Sequence, residues 1–353
     1  MTTVSILAET EYHRWDHFVD SHPAGWLTHF SQWHKILSGF IKECQLFIFA
    51  INNEQTGEIT AGLPLYFIKS PFSGKRFVGA PLATFFDPLI SNPAELKLLI
   101  QAAKNFLEQL NGKYIKIKIF RTKDLFLLGN CSLKSEYVTH ILSLDDDLDK
   151  IFSKFDRTCI RKNIRKAEKS NLKTRIIKDQ DELSRFFLLY SRTRKRLGLP
   201  AIPFSFYSQI FNLFGPSGKA IYLLAEHGNI PVASLLIFLY KNRCSTEALG
   251  WETAFKSLRP VPFIYWEAIK LASQRGFKYF DFGRTSIEHG DLLFFKRNWG
   301  TEEIELPEFI FPDEKAQRLK TEKLKIMAAS IYQILPSPVY FLASHMYYRF
   351  FLE

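Results

Sequence analysis

Apolar residues recur along the chain in two patterns, one spaced three to four apart and one of short, near-continuous β-rich runs. Residues 12–40 follow the first, with Trp15, Phe18, Trp33, Ile36, Leu37 and Phe40 marking helical faces around a loop at Ser21–Gly25. The second pattern takes over at Gln45–Ile51 and Glu58–Ile68. The polar run Asn52 to Gly57 between them predicts a hairpin. Gly62 and Pro64 inside the second strand predict an edge, bulge or bend. Short strands at Phe77 and Leu82–Phe86 come next, then a helix over Pro93–Leu110 and strands at Tyr114–Phe120 and Tyr137–Leu144.

Asp145-Asp146-Asp147 caps the following helix and marks a domain boundary. That helix is expected to run from Asp149 to Lys169 on a narrow apolar stripe of Ile160, Ile164 and Ala167. Helices at Asp181–Leu197 and Ser205–Phe214 precede three strands, Ala220–Glu226, Pro231–Tyr240 and Cys244–Gly250. A helix from Pro262 to Arg275 has proline in its first turn and Gly276 after its end. Tyr279–Phe282 then reads as a buried strand stopping at Gly283. A polar loop to Gly290 follows, and Asp291 is placed to cap a short helix with Leu292, Phe295 and Trp299 on its apolar face. Lys296 is flanked by aromatics. It is either a surface lysine or a rigidly held, partly desolvated ammonium. A last strand spans Glu303–Phe311.

The order of elements repeats. Leu46–Ala50, a turn and Ile59–Leu63 match Ile221–Ala225, a turn and Pro231–Leu235; each hairpin is later followed by a helix, a glycine and a Lys-Tyr strand. We therefore expect an α/β (α+β) protein of two similar domains with a groove between them. Residues 1–144 (plus about 302–312) form one domain, 145–301 the second, and 313–353 a helical tail. Pro336-Ser337-Pro338 divides that tail, and its amphipathic Val339–Leu352 piece is too short to span a bilayer. It is free to lie on a membrane or to pack on the core.

Composition narrows the classes. Apolar content of 46% with 34 phenylalanines supports thick cores and excludes wholesale disorder. Four scattered cysteines without a CxxC pair fit free thiols in a reducing compartment, and no signal peptide precedes Arg14; the expected location is cytoplasmic. His13 and His17 are four apart, but no HExxH or cysteine accompanies them, so no metal site is expected and the histidines of 13–34 are given surface or capping roles. The net charge of +11 is concentrated: residues 150–200 hold 16 Lys/Arg against 5 Asp/Glu. Arg157, Arg161, Arg165 and Lys169 recur four apart with Lys162 and Lys166 beside them, a repulsive pattern that a bound anion would offset. A nucleic-acid-binding module is one reading of that run, although no aromatic-interleaved recognition motif supports it.

Four segments together carry a resemblance: Arg157 to Ala167, Leu197-Gly198-Leu199-Pro200, Asp281-Phe282-Gly283-Arg284, and Phe295-Lys296-Arg297-Asn298-Trp299-Gly300. With the hairpins, over about residues 25–310, the chain resembles the FemAB-type members of the GNAT acyltransferase superfamily, including FemAB-related and cellulose-biosynthesis-type acetyltransferases. The resemblance implies tandem GNAT-like (acyl-CoA N-acyltransferase) domains whose closing strand returns to the first. It also implies transfer of an acyl or aminoacyl group, from acyl-CoA or aminoacyl-tRNA as co-substrate with no permanently bound cofactor, to an amine. The acceptor would be an envelope glycan or peptide precursor in peptidoglycan or exopolysaccharide metabolism, which would place the enzyme at the inner face of the cytoplasmic membrane. A non-catalytic scaffold in an envelope pathway is the remaining alternative.

The resemblance implicates Lys296 in stabilising negative charge. We assign it the oxyanion or the departing group, with Arg284 helping. Asp281 either positions Arg284 or the amine, or bonds the following loop. Glu247 is the candidate base. Arg259 and the helix N-terminus near Pro262 are expected to receive a phosphate through free N–H groups. Arg157, Arg161, Lys162, Arg165 and Lys166 would hold a phosphate-rich donor or acceptor. Three family positions differ: Leu37 replaces a phosphate-binding lysine, Ala201-Ile202-Pro203 lacks an arginine, and Leu258–Pro262 replaces the glycine-rich pyrophosphate loop. Donor and acceptor therefore stay open.

Overall fold

The computed structural model describes residues 3–41, 43–71, 74–120, 131–312 and 330–350. It divides into two compact units, Met1–Glu136 with Glu305–Glu322 and Met346–Glu353, and Tyr137–Ile304 with Lys323–His345. In the first, strand β1 (Val4–Ile6) and helices α1 (Tyr12–Ser21) and α2 (Ser31–Ser38) precede the hairpin of β2 (Cys44–Asn52) and β3 (Ile59–Ser70). Then come β4 (Gly74–Val78), α3 (Pro93–Gln109), β5 (Ile115–Lys118) and β6 (Ser132–Lys134).

The second unit opens with β7 (Tyr137–Ser143), α4 (Leu148–Ser153), a π-helical turn at Arg157–Arg161, α5 (Lys162–Lys169) and β8 (Leu172–Ile176). Helices α6 (Gln180–Arg196) and α7 (Phe204–Phe214) lead into β9 (Ala220–His227), β10 (Ile230–Tyr240) and β11 (Arg243–Trp251). α8 (Pro260–Gln274), β12 (Tyr279–Asp281), β13 (Thr285–Ser286), α9 (Gly290–Arg297) and β14 (Glu302–Glu305) complete it. β15 (Glu308–Phe311) belongs to the first unit, and α10 (Ser337–Phe350) lies near the chain's end.

The two sheets repeat one plan. The first runs β1-β2-β3-β4-β5-β15-β6, and the second β13-β7-β12-β11-β10-β9-β8 with β14 on β7. In each, an antiparallel hairpin meets a third strand, a helix crosses over, and the fourth strand returns parallel to the third: β4 with β5, β11 with β12. Antiparallel to that fourth strand stands β15 in one sheet and β7 in the other. Each crossover helix covers a separate core. α3 packs Leu96, Leu99 and Ala103 on Phe49, Phe77 and Ile115; α8 packs Phe263, Ile264 and Ile269 on Leu235, Ile237 and Phe280.

Several local expectations change. The boundary lies before Tyr137 rather than at residue 144, because Tyr137–Ser143 pairs with β12 of the second sheet. The helix expected over Asp149–Lys169 is broken: Asp156 accepts from the N–H groups of Thr158 and Cys159, restarting the chain as a π turn. That capping holds the Asp156 carboxyl down at about 2. Leu82–Phe86 is not a strand. β3 is no edge strand; of the alternatives expected for it the bulge is present, the β2–β3 pairing skipping Thr60. Pro64 is tolerated because β4 pairs β3 only from Tyr66 onward, and Gly62 leaves room for the Trp15 ring, which a Cβ would meet at 2.3 Å. The strand expected over Glu303–Phe311 is two strands, parted at Leu306-Pro307. Of the surface and capping roles given to the histidines, His29 takes the capping one: its Nδ1 accepts from the Trp26 N–H at 3.1 Å, while its Nε2 lies 2.8 Å from the Asp87 carbonyl oxygen and its ring stacks on Phe86. Of the tail expected over 313–353, residues 313–329 and 351–353 lie outside the described residues.

Candidate active site

The parallel pair β11–β12 is short. Arg243, Cys244 and Ser245 face Tyr279, Phe280 and Asp281, and there β12 stops while β11 continues to Trp251. Beyond that point β11 pairs only with β10, and the pairing skips one residue. Leu236 faces Ala248 and Ile237 faces Thr246, which leaves Glu247 as the extra residue of a β-bulge. Bulges re-aim side chains. The run Arg243-Cys244-Ser245-Thr246-Glu247 thus turns polar side chains toward the place where two neighbouring strands part.

Asp281, fully buried, organises this place. One carboxylate oxygen accepts from Thr139 Oγ1 at 2.5 Å and from the Gly283 N–H at 2.8 Å, and Arg243 Nη1 lies 3.8 Å from the other. The bond to the following loop, one of the two roles foreseen for Asp281, is therefore present. It draws Gly283 into a left-handed conformation (φ +73°) pressed on the Thr246 carbonyl.

The Gly283 carbonyl oxygen accepts from Lys296 Nζ at 2.6 Å. Lys296 is 3% exposed, so it is not a surface lysine. Phe295 and Trp299 of the expected apolar face pack on the core, but Leu292 is exposed, and Leu293 and Lys296 point inward instead. The helix starts after His289 without a side-chain cap, and Asp291 lies in its first turn. Burial pulls the Lys296 ammonium down to about 7, against the opposing pull of Asp281. Glu247 moves the other way. Desolvation raises its carboxyl to about 7 although Ser245 Oγ donates to it at 2.6 Å. An acid and a base, both poised near neutrality, flank one buried carboxylate.

Two flanking devices hold α9. His140, 0% exposed on β7, faces Glu303 Oε2 across 3.1 Å, and Arg297 donates to the same oxygen through Nε at 2.8 Å and lies 2.7 Å away at Nη2. Burial, then the neighbouring Lys296, lowers the His140 imidazole pKa, so it stays neutral. At the helix end, Trp299 is enclosed by Phe155 (4.9 Å between ring centroids), Phe282 (5.4 Å) and Tyr265 (5.9 Å). The Asp156 N–H donates to the Asn298 carbonyl at 2.7 Å. The basic turn thus begins where the lysine-bearing helix ends.

Of the predicted site residues, Asp281, Lys296 and Glu247 come together. Arg284 is exposed and stacks its guanidinium 4.2 Å over the Tyr137 ring. Arg157, Lys162, Arg165 and Lys166 are exposed, and Arg165 lies over Phe152. Arg161 is half-buried, its Nε without a hydrogen-bond partner among the described residues. Arg259 caps α8 in the left-handed region (φ 60°), its Nε likewise unpartnered.

The expectation of free N–H groups at that helix start needs correction. The helix begins at Pro260, and Pro260 and Pro262 carry no N–H; those of Arg259 and Phe263 are bonded to Lys256 and Arg259. Only Val261 keeps a donor among these positions, so the helix start does not fit a pyrophosphate cradle built from backbone N–H groups. Sequence reasoning missed Thr139, His140, Arg243 and Ser245. The available signal was polar residues interrupting otherwise apolar strands.

Comparisons with known proteins agree with this architecture. The family model described as an acetyltransferase (GNAT) domain matches residues 154–297. No curated protein sequence matches the chain. Among solved structures, FemX superposes with a TM-score of 0.70 at 18% identity, covering 97% of this chain and 99% of its own. L-PGS from Bacillus licheniformis gives 0.54 at 13% identity, over 86% and 95%. A tandem GNAT protein from the clavulanic acid biosynthesis pathway gives 0.54 at 11%, over 90% and 100%. The chain thus carries a GNAT acetyltransferase domain over residues 154–297, within the unit that holds Lys296, and as a whole it shares the fold of FemX.

Proposed function

We propose that the protein transfers an aminoacyl group from a tRNA ester to the amine of an envelope peptide or glycan precursor, with Lys296, Asp281 and Glu247 as its working centre. The observation that carries the reading is the buried Lys296 ammonium, aimed by the Gly283 carbonyl at the parting of β11 and β12. Glu247, as carboxylate, takes the proton of the acceptor ammonium. The freed amine attacks the ester carbonyl carbon, and charge gathers on the carbonyl oxygen. Lys296, as ammonium, stabilises that oxyanion. The carbon–oxygen bond to the ribose then breaks: the ribose oxygen leaves with a proton from the same lysine, the attacking nitrogen returns its extra proton to that lysine as the amide forms, and Glu247 releases its proton to water. Asp281 and Arg243 hold the loop that aims it.

The proline-blocked α8 terminus favours the tRNA ester over acyl-CoA, and the exposed cations Arg157, Lys162, Arg165 and Lys166 suit a polyanionic donor. In this reading the enzyme works at the inner face of the membrane, where such precursors are made. The test offers purified protein both labelled aminoacyl-tRNA and labelled acetyl-CoA with muropeptide or amino-sugar acceptors. Amide product from charged tRNA supports the reading, transfer from acetyl-CoA alone overturns the donor assignment, and transfer from neither overturns the function. Salt-sensitive RNA binding without transfer would indicate a binding module instead.

A further inference from the structure

The C-terminal segment packs on the second unit through polar contacts. Tyr340, buried, donates its hydroxyl to the Leu199 carbonyl at 2.9 Å, and the Ala201 N–H donates to Ser344 Oγ at 3.2 Å. Phe341 stacks on Phe187 of α6, and Gln333 Nε2 donates to the Arg196 carbonyl at 3.1 Å. Much of what remains outward is apolar. Ile334 is 81% exposed, Leu342 62% and Leu197 57%, and Leu188, Leu199 and Val339 are exposed as well. A soluble surface rarely gathers so many large apolar side chains without a partner.

The charge around them is mainly positive. From Leu183 to Ala225 and from Ser330 to Phe350, the segments that build this surface, the sequence has no Asp or Glu. The last turn of α6 contributes Arg194, Lys195 and Arg196. Lys195 lies over the Tyr340 ring, and Arg192, one turn earlier, is exposed with Glu252 as its ion-pair partner. An apolar surface rimmed mainly by cations, with the Glu252 carboxylate paired to Arg192 at its margin, matches an anionic bilayer, whose headgroups meet the cations while the leucines enter the acyl boundary. We infer that residues 188–199 of α6 and its following loop, together with residues 331–342, form a docking surface for anionic phospholipid membranes. This deepens the proposed placement at a membrane face, and it is read without any acyl transfer.

The test is sedimentation of the full chain with vesicles of phosphatidylglycerol and phosphatidylcholine, and with phosphatidylcholine alone. The wild type should sediment with the former and stay largely in solution with the latter. Leu342→Ser and Leu197→Ser, both exposed and remote from the fold's cores, should each weaken binding about tenfold. Lys195→Gln should weaken it about fivefold on the anionic vesicles only. A wild type that ignores anionic vesicles overturns the inference, as do serine variants that bind undiminished. So does a concentration-dependent dimer, seen by light scattering, that Leu342→Ser dissociates while vesicle binding persists; the surface would then serve a second copy. Lys296→Met should bind vesicles as the wild type does, so failure of the catalytic reading leaves this result standing.

Discussion

Lys296 Nζ donates to the carbonyl oxygen of Gly283 across 2.6 Å, joining α9 to the loop that β12 hands over at Asp281. The bond fixes a buried ammonium at a point where the sheet's hydrogen bonding ends. Burial and fixation are what an oxyanion donor needs, because a prealigned charge in a low-dielectric place costs no reorganisation during reaction.

The unfolded chain keeps its Lys296 proton up to the ordinary value of 10.5, whereas the folded protein releases it at about 7. Between these values the unfolded state holds more protons, so stability rises with pH. Glu247 acts oppositely, since its folded value of about 7 exceeds the ordinary 4.5 and stability falls as pH climbs through that window. The two contributions place a stability minimum near neutrality, which urea unfolding at about pH 5, 7 and 9 will reveal. In Lys296→Met the alkaline rise disappears. Stability near neutrality should increase by roughly 1–3 kcal/mol, the relieved desolvation exceeding the loss of a donor to Gly283.

Catalysis should show the same two groups. The rate rises as Glu247 loses its proton and falls as Lys296 loses its own, which gives a narrow bell centred near neutral pH. Glu247→Gln removes the rising limb and lowers kcat by about 10²–10⁴-fold. A pH–rate profile of the variant checks both.

Gly283→Ala tests the loop. Its φ of +73° disfavours any side chain, and the added Cβ would stand 2.7 Å from the Thr246 carbonyl oxygen, which backbone pairing holds in place. We expect a loss of about 3 kcal/mol in urea unfolding, together with reduced kcat as the carbonyl that aims Lys296 shifts.

Trp299→Ala should cost about 3–5 kcal/mol, because the indole is fully buried among Phe155, Tyr265 and Phe282 and leaves a cavity no neighbour can fill. Thermal unfolding measures it.

Arg157→Gln and Lys162→Gln bear on donor binding alone. Both side chains are exposed on the basic turn and α5, so the KM for charged tRNA should rise several-fold, the salt dependence of binding should lessen, and kcat should hold.

Much of the architecture was legible because hairpin strands and crossover helices are written in local pattern. The β-rich run Ile59–Ile68, the Asn-Gly at the end of α3 and the proline start of α8 needed no distant information. Which sheet receives Tyr137–Ser143 was not legible, since strand pairing depends on partners 140 residues away that share no local signal. The break at Asp156 was hidden by continuous helical periodicity on both sides. Lys296 stood out by its aromatic neighbours, but its burial did not, because the inward face of α9 is wider than the expected Phe295–Trp299 stripe and takes in Leu293 and Lys296 in place of Leu292. His140 and Arg243 were missed for a related reason. A polar residue in a strand reads as solvent-facing until the sheet that covers it is known.

The most direct test of the central claim is the turnover of Lys296→Met at saturating concentrations of whichever donor, charged tRNA or acetyl-CoA, the wild type uses. With the fold verified by circular dichroism, kcat should fall by about 10²–10³-fold while the donor's KM changes little. A kcat within about twofold of the wild type would contradict a charge-stabilising role for the buried lysine.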